Sequence, residues 1–426
     1  MAASETHRTI DAVWRIESPK IIAGLARIVR DVGLAEELAQ DALVAALEQW
    51  PASGIPDNPG AWLMGTAKHR ALDHFRRRKM LDRKHEEIGY QVEARQAETV
   101  PDFDTALDDD IGDDLLRLVF TACHPVLPTD ARVALTLRLL GGLTTDEIAR
   151  AFLVAEPTIA QRLVRAKRTL AKEQVRFEVP RGDALAERLP SVLEVIYLIF
   201  NEGYSATAGD DWMRPGLCED ALRLGRIVAE LMPQEPEVHG LAALMEIQAS
   251  RSKARVGPTG DPILLLEQNR ALWDQWLIRR GLAALARAEA LGGQRGRYAL
   301  EAAIAACHAR ARTPEETDWP RIVSLYDMLA RLTPSPVVEL NRAVAVAFAQ
   351  GPAAALELVD RLMSEPTLKS YYLLPGVRGD LLARLGRFDK AAAEFERAAA
   401  LTRNVRERTL LEARAAACAR GTAPAR

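Results

Sequence analysis

The sequence predicts an all-α protein: two small helical domains, the second carrying a helix-turn-helix, followed by a long stack of helical hairpins. Three observations predict it. Ala, Leu and Arg are abundant while aromatics make up only 5% of the 426 residues, a balance that favours helix. Apolar residues recur at helical spacing along the chain. In the C-terminal half, Ala- and Leu-rich segments are punctuated by Pro and show internal similarity. The net charge of −3 gives no global basicity, so nucleic-acid contacts must rest on local runs. Cys123, Cys218, Cys307 and Cys418 are scattered without a CxxC pair, which fits thiols in a reducing cytoplasm better than a disulfide framework or a zinc knuckle. The chain shows no apolar signal core and no run of about 18 apolar residues. A cytoplasmic protein without membrane contact is expected.

The first domain is placed at residues 1–85. DVGLAEELAQDALVAALEQW, from Asp31 to Trp50, is an amphipathic helix whose outer face carries Glu37, Gln40, Asp41 and Glu48. PASGIPDNPG, from Pro51 to Gly60, reads as a loop. Asn58 and Pro59 then start a helix as cap and first-turn proline. That helix ends in a basic cluster: Lys68 to Lys84 holds eight Lys or Arg against Asp73 and Asp82. The sign reverses in the next segment, placed at 86–112. Between Glu86 and Asp114 there are eleven Asp or Glu and one Arg, which predicts an extended acidic linker.

The second domain is placed at 113–178. It contains GGLTTDEIARAFLVAEPTIAQRLVRAKRTL, from Gly141 to Leu170. Thr144 and Glu147 form a capping-box pattern that opens one helix. After the turn FLVAE, Pro157 sits in the first turn of a second helix. At about 100° per residue, Ile159, Leu163, Ala166 and Leu170 fall on one buried stripe. Thr158, Gln161, Arg165 and Arg168 lie opposite, with Arg162 beside them. Gln and Arg each offer two hydrogen bonds to a base edge in the major groove, and Thr158 near the helix start suits a phosphate. Lys167 and Lys172 are expected to add charge toward phosphates. On its own the motif is also compatible with an amphipathic hairpin whose basic face is merely solvated.

The remainder, 179–426, reads as helical hairpins. GRIVAELMPQEPEVHGLAALM (225–245) is similar to YDMLARLTPSPVVELNRAVAV (326–346), each ending one helix at a Met-Pro or Thr-Pro and starting another shortly after. Gly379, Leu382, Gly386, Phe388, Ala391, Phe395 and Ala398 follow tetratricopeptide-repeat spacing. No P-loop, GxSxG or HExxH is present. His69 and His74 are off the i,i+4 spacing of a shared metal face, Cys307-His308 reads as packing, and the Asp108–Asp110 run offers no fixed cation geometry. The expectation is a non-enzymatic protein with no catalytic residue, metal or cofactor.

GLTTDEIARAFLVAEPTIAQRLVRAKRTL resembles the promoter-reading helix-turn-helix of bacterial sigma factors of the extracytoplasmic-function class, a motif that LuxR-type regulators share in similar form. GLAEELAQDALVAALEQW followed by NPGAWLMGTAKHRALDHFRRR resembles the other conserved domain of the same factors. The order of the two matches, with a linker between, is more specific than either alone. YLIFNEGYSA (197–206) and the tetratricopeptide-like repeats resemble a subgroup with such a C-terminal extension, so the likeness spans essentially the whole chain.

This resemblance implies that core RNA polymerase is a partner, through its β subunit and through the β′ clamp helices, which would dock on Glu37, Gln40 and Asp41. It implies that the helix from Asn58 meets the −10 promoter element through Trp62, His69, Asp73, Arg76, Arg77 and Arg78, with a flipped base held near the 51–60 loop. It implies that Thr158, Gln161, Arg162, Arg165 and Arg168 read the −35 element. The acidic linker would thread a basic channel as an RNA mimic or serve as a solvated spacer. The repeats would regulate the promoter-reading half or hold a protein partner. Two departures stand out: His69 where many relatives have Asn, and Ala155 where relatives often have a Ser cap. Two rival readings remain open: a repeat-based adaptor, and a conventional helix-turn-helix regulator that never joins the polymerase.

Overall fold

The structure is a computed structural model and describes residues 2–422, apart from 88–110 and the single positions 153, 207, 210 and 259; for a few others, 78 and 79 among them, the backbone alone is described. The acidic segment therefore lies outside the described residues except at its ends. The fold is all-α and divides into two compact units, Met1–Val195 and Ile196–Arg426. No helix among the described residues is long and apolar enough to cross a membrane.

The first unit contains α1 (Ala2–Val29), α2 (Val32–Ser53), α3 (Pro59–Glu87), α4 (Ile111–Ala122), α5 (Thr129–Leu139), α6 (Thr145–Ala151) and α7 (Glu156–Lys172), then the start of α8 (Asp183–Tyr204). Asp31 caps α2 by accepting the Leu34 N–H at 3.0 Å. The loop expected at 51–60 is shorter. Pro51 stays in the last turn of α2, and the helix ends instead at Gly54, whose φ of +84° a side chain would resist. Buried Trp50 anchors that turn by accepting the Gly54 N–H through its carbonyl. Asn58 caps α3 as the sequence suggests, accepting from Ala61 at 3.1 Å. Leu63, Ala67 and Ala71 then bury one stripe of α3 at i, i+4 and i+8.

Composition changes texture at residue 179, whereas the compact units divide inside α8. The first turns of α8 belong with α4 and α5. Arg188 donates to the Phe120 carbonyl at 2.7 Å and Ser191 to the Cys123 carbonyl at 2.6 Å. Cys123 itself is enclosed here, and burial pushes its thiol up to about 11.

The second unit continues with α9 (Pro215–Leu231), α10 (Pro236–Ala249), α11 (Gln275–Ala290), α12 (Arg297–Arg310), α13 (Trp319–Leu332), α14 (Pro336–Ala349), α15 (Pro352–Leu362), α16 (Leu373–Arg384), α17 (Phe388–Leu401) and α18 (Val405–Ala419). From α9 to α18 each helix packs on the next in sequence, and α12 packs on α10 as well. The internal similarity has a structural counterpart. Met232 and Thr333 end α9 and α13 with nearly the same backbone, φ −127°, ψ 60° and φ −129°, ψ 83°, and α10 and α14 both restart at a proline soon after, Pro236 and Pro336. In the α16–α17 hairpin, a methyl placed on Gly379 would meet the Phe395 ring at 3.0 Å, so a larger residue there would have to push the ring aside.

The two ends of the second unit are tied together. A two-residue parallel strand pair joins 208–209 to 403–404. The buried Asn404 amide donates to the carbonyls of Ala206 at 3.1 Å and Asp211 at 2.9 Å while its oxygen caps α18. Beside it, Glu407 accepts from Tyr372, from Thr402 at 2.9 Å and from Trp212 at 3.4 Å.

Candidate nucleic-acid interface

The helix-turn-helix is built from local rules. Thr144 and Glu147 close the capping box: the Glu147 N–H donates to Thr144 Oγ1 at 3.1 Å, and the Thr144 N–H donates to Glu147 Oε2 at 2.8 Å. Glu147 also pairs with Arg15 of α1. Partial burial works to raise its carboxyl, but the Thr144 hydrogen bonds and the Arg15 charge outweigh it and hold the carboxyl below the usual value. Just before the motif, Gly142 takes φ +70° and brings its backbone against α1, where a methyl would sit 3.2 Å from Arg15 Cα.

Helix α7 buries Ile159, Leu163, Ala166 and Leu170, the expected stripe. Thr158, Gln161, Arg165 and Arg168 are all exposed. They form a polar and cationic row that can enter a groove with its donors unobstructed. Arg162 is half-buried and engaged with Asp130 at 2.9 Å. Ala155 occupies the cap position in extended backbone and provides no side-chain hydrogen bond, so the helix start relies on backbone and on Glu156 in the first turn.

Lys167 differs from expectation. Its ammonium does not extend toward solvent but donates to Glu36 Oε2 at 2.8 Å. Glu36 is 3% exposed. Its Oε1 accepts from Arg138 Nε at 2.6 Å and from Gln40 Nε2 at 2.6 Å. A carboxylate this buried is tolerable only with such a full set of donors. Sequence reasoning named Gln40 and passed over Glu36, which lies at the flank of the apolar stripe of α2. Glu37 and Asp41 are exposed, and Gln40 is half-buried between them and Glu36.

On α3, His69, Asp73, Arg76 and Arg77 are exposed, and Arg76 lies 3.6 Å from Asp73. Arg78 continues the helix by its backbone, and its side chain lies outside the described ones. Trp62 is half-buried and its ring forms a T-shaped pair with that of Trp50, centroids 5.3 Å apart, so part of it belongs to the α2–α3 packing. The exposed α3 residues sit at i, i+4, i+7 and i+8 and share one face. The first unit thus carries two separate cation-bearing helical faces, on α3 and α7.

In the second unit, YLIFNEGYSA supplies structure. Glu202 pairs with Arg214, and Gly203 lets α9 approach, since a methyl there would lie 2.5 Å from the Cys218 backbone nitrogen. Tyr204 stacks under the buried Arg255 guanidinium, 3.4 Å from the ring centroid, with Trp212 4.4 Å away. Burial lowers the Arg255 pKa to about 10. His308 packs edge-on against Trp319.

Comparison with known proteins gives three matching families. Residues 14–80 match the family described as sigma-70 region 2, and 117–170 match sigma-70, region 4. Residues 188–289 match a family of unknown function, DUF6596. An uncharacterised protein of Rhizobium meliloti is 43% identical over 400 residues, 93% of either chain. A probable ECF RNA polymerase sigma factor of Mycobacterium tuberculosis, SigI, is 25% identical over 175 residues, covering 41% of this chain and 58% of that protein. No solved structure matches the chain.

Proposed function

We propose, from the premise that this chain belongs to the sigma-70 family as an extracytoplasmic-function factor with a C-terminal helical extension, that it binds core RNA polymerase and directs initiation at promoters read in two parts. The observation that carries the proposal is the pairing, in order, of a region-2 and a region-4 domain, each presenting an exposed cationic helix face. One such face would serve a simple regulator. Two faces on separate domains fit an asymmetric, two-element site.

In this reading α7 lies in the major groove of the −35 element. Gln161 and Arg165 face base edges, while Thr158 and Arg168 hold phosphates. Arg162 is held back by Asp130 and contributes field rather than a contact. On the −10 element, Arg76, Arg77 and Arg78 hold phosphate, and His69 contacts phosphate rather than a base. Trp62, half-buried against Trp50, offers its exposed part for an unstacked base. The exposed Glu37 and Asp41, with the half-buried Gln40 beside them, give α2 an acidic face for the β′ clamp helices. The chain itself makes and breaks no bonds: binding energy opens the promoter and the polymerase supplies catalysis. It acts in the cytoplasm, and the C-terminal extension tunes the promoter-reading half or holds a protein partner.

Reconstituted transcription tests this. Full-length chain and core polymerase are combined with a library of promoter fragments. The proposal expects specific initiation that depends on the chain and falls at least tenfold when Gln161 and Arg165 are both replaced by Ala. Absence of initiation and of a complex with core polymerase would favour the adaptor or conventional-regulator reading.

A further inference from the structure

The second unit holds a cationic cluster at the end of α10, where the backbone is pinned. The Asp274 N–H donates to the Ser250 carbonyl at 2.8 Å, and the Ile263 N–H donates to the Arg255 carbonyl at 2.8 Å. Between them a single 3-10 turn, Ser252–Ala254, sets Arg251 and Arg255 on one ring, that of Tyr204, with guanidinium carbons 5.8 and 3.4 Å from its centroid. The Trp212 ring also meets Arg255, at 4.4 Å, and the Trp273 ring meets Arg251, at 5.9 Å. Arg270 reaches the same Trp273 ring at 4.7 Å, while its Nη1 is held by the His308 and Ala311 carbonyls, both at 2.6 Å. Negative charge is scarce around this cluster. Among the described residues neither Arg251 nor Arg255 makes an ion pair. Arg255 is 6% exposed. Its Nε, those of Arg251 and Arg270, and Nε1 of Trp273 are buried donors that meet no acceptor. Glu407, whose charge reaches Arg255, is already held by Tyr372, Thr402 and Trp212. Cys218 stays a neutral thiol, pushed up to about 12 by burial. His308 feels the surplus: burial, and then the charges of Arg251 and Arg270, push it down to about 3. Ring faces offset part of the cost of burying a cation, but they leave its N–H edges unbonded.

We propose that Arg251 and Arg255 form a binding site for a phosphate dianion, free or as a small phosphate monoester. A guanidinium presents its N–H donors in a plane that matches phosphate oxygens, and one dianion accepts from two guanidiniums while cancelling both charges. A monocarboxylate cancels one charge and leaves the other. Enclosure of Arg255 by Tyr204 and Trp212 favours a small ligand over a duplex backbone. The site draws on both ends of the unit. Tyr204 and Trp212 flank the 208–209 strand, Arg251 and Arg255 follow α10, and Glu407 lies in the first turn of α18, just after the 403–404 strand that pairs with 208–209. A bound dianion therefore tightens the tie between the first and last segments of the second unit. The proposal stands on the second unit alone and holds whatever partner the first unit has.

Calorimetric titration of the full-length chain tests it, at about pH 8, where a phosphate monoester is a dianion. The probes are inorganic phosphate, phenyl phosphate and acetate. The expected result is one phosphate per chain with a Kd below about 1 mM, and acetate at least about tenfold weaker. Arg251→Gln, at a half-buried position with no ion pair to lose, should weaken phosphate at least about tenfold while the ligand-free chain keeps its helix content. Lys253→Gln removes an exposed neighbouring charge and should change the affinity less than about twofold. Amide exchange at 208–209 and 403–404 in the unsubstituted chain should slow when phosphate is bound. Preference for phenyl phosphate would support the proposal with an ester as occupant, and equal binding would support it with the free ion. The proposal is overturned by absence of saturable phosphate binding, by equal losses in the two variants, by acetate binding as well as phosphate, or by exchange at the strand pair that phosphate leaves unchanged. Displacement of phosphate by a short DNA duplex would overturn it in favour of a nucleic-acid contact.

Discussion

Lys167 of α7 and Glu36 of α2 meet at 2.8 Å, although 131 positions separate them. Arg138 shares the same carboxylate. Removing the acid strands two half-buried cations, whereas removing Lys167 leaves the Glu36–Arg138 pair in place. Glu36→Ala is therefore expected to destabilise the first unit by about 3 kcal/mol, and Lys167→Ala by clearly less. Denaturant unfolding followed by circular dichroism checks the order. Equal losses would mean that Arg138 contributes nothing.

The capping box gives a pH dependence. Glu147 has its carboxyl held below the ordinary value of 4.5 by Thr144 and Arg15, against the opposing effect of burial. A depressed carboxyl adds stability that is present above the unfolded value and is lost as pH falls through the folded one. The stability gap between the natural chain and a Glu147→Gln variant should be full near pH 6 and shrink below about pH 4.5, where the natural residue also becomes neutral. Thermal unfolding across pH 3–7 measures it. A gap independent of pH would assign the contribution to shape rather than charge.

Ala155 stands at a cap position with φ −66° and ψ 140° and offers no acceptor. Ala155→Ser supplies one without moving the backbone. The expected gain is about 1 kcal/mol, seen as a higher unfolding midpoint. An unchanged midpoint would show that Glu156 and water already satisfy the first-turn N–H groups.

The exposed row on α7 makes separable predictions for the −35 element. Gln161→Ala or Arg165→Ala should cost about 1–3 kcal/mol at one or two base positions and relax preference there. Arg168→Ala should weaken binding evenly across sequences and lower the salt slope by about 1. Initiation from promoter libraries at several salt concentrations distinguishes these patterns. Uniform losses for all three would place the whole row on the backbone.

What could be read in the sequence was local. The capping box, the Ile159–Leu163–Ala166–Leu170 stripe and the Asn58 cap depend on residues three or four apart, and each is present. The matched helix ends at Met232 and Thr333 were likewise visible as a repeated Pro pattern. What escaped depends on distance. Nothing near Glu36 signals that Arg138 and Lys167 will reach it, except its position at the flank of an apolar stripe, where an acid needs a partner. A basic helix face gives no sign of which cations turn inward, so the sequence predicts a phosphate contact for Lys167 where the structure pairs it with Glu36. Proline usually stops a helix, so the sequence predicts loop from Pro51, yet Gly54 sets the end. The tie between Asn404 and the 206–211 segment spans almost 200 residues and leaves no periodic trace.

The most direct test of the central claim is a footprint on a promoter selected from the library, with the full-length chain alone, with core polymerase alone, and with both. A sigma factor should give protection in two segments, about ten and about thirty-five base pairs upstream of the start, appearing only when chain and polymerase are together. A single symmetric footprint made by the chain without polymerase would contradict it and identify a conventional regulator.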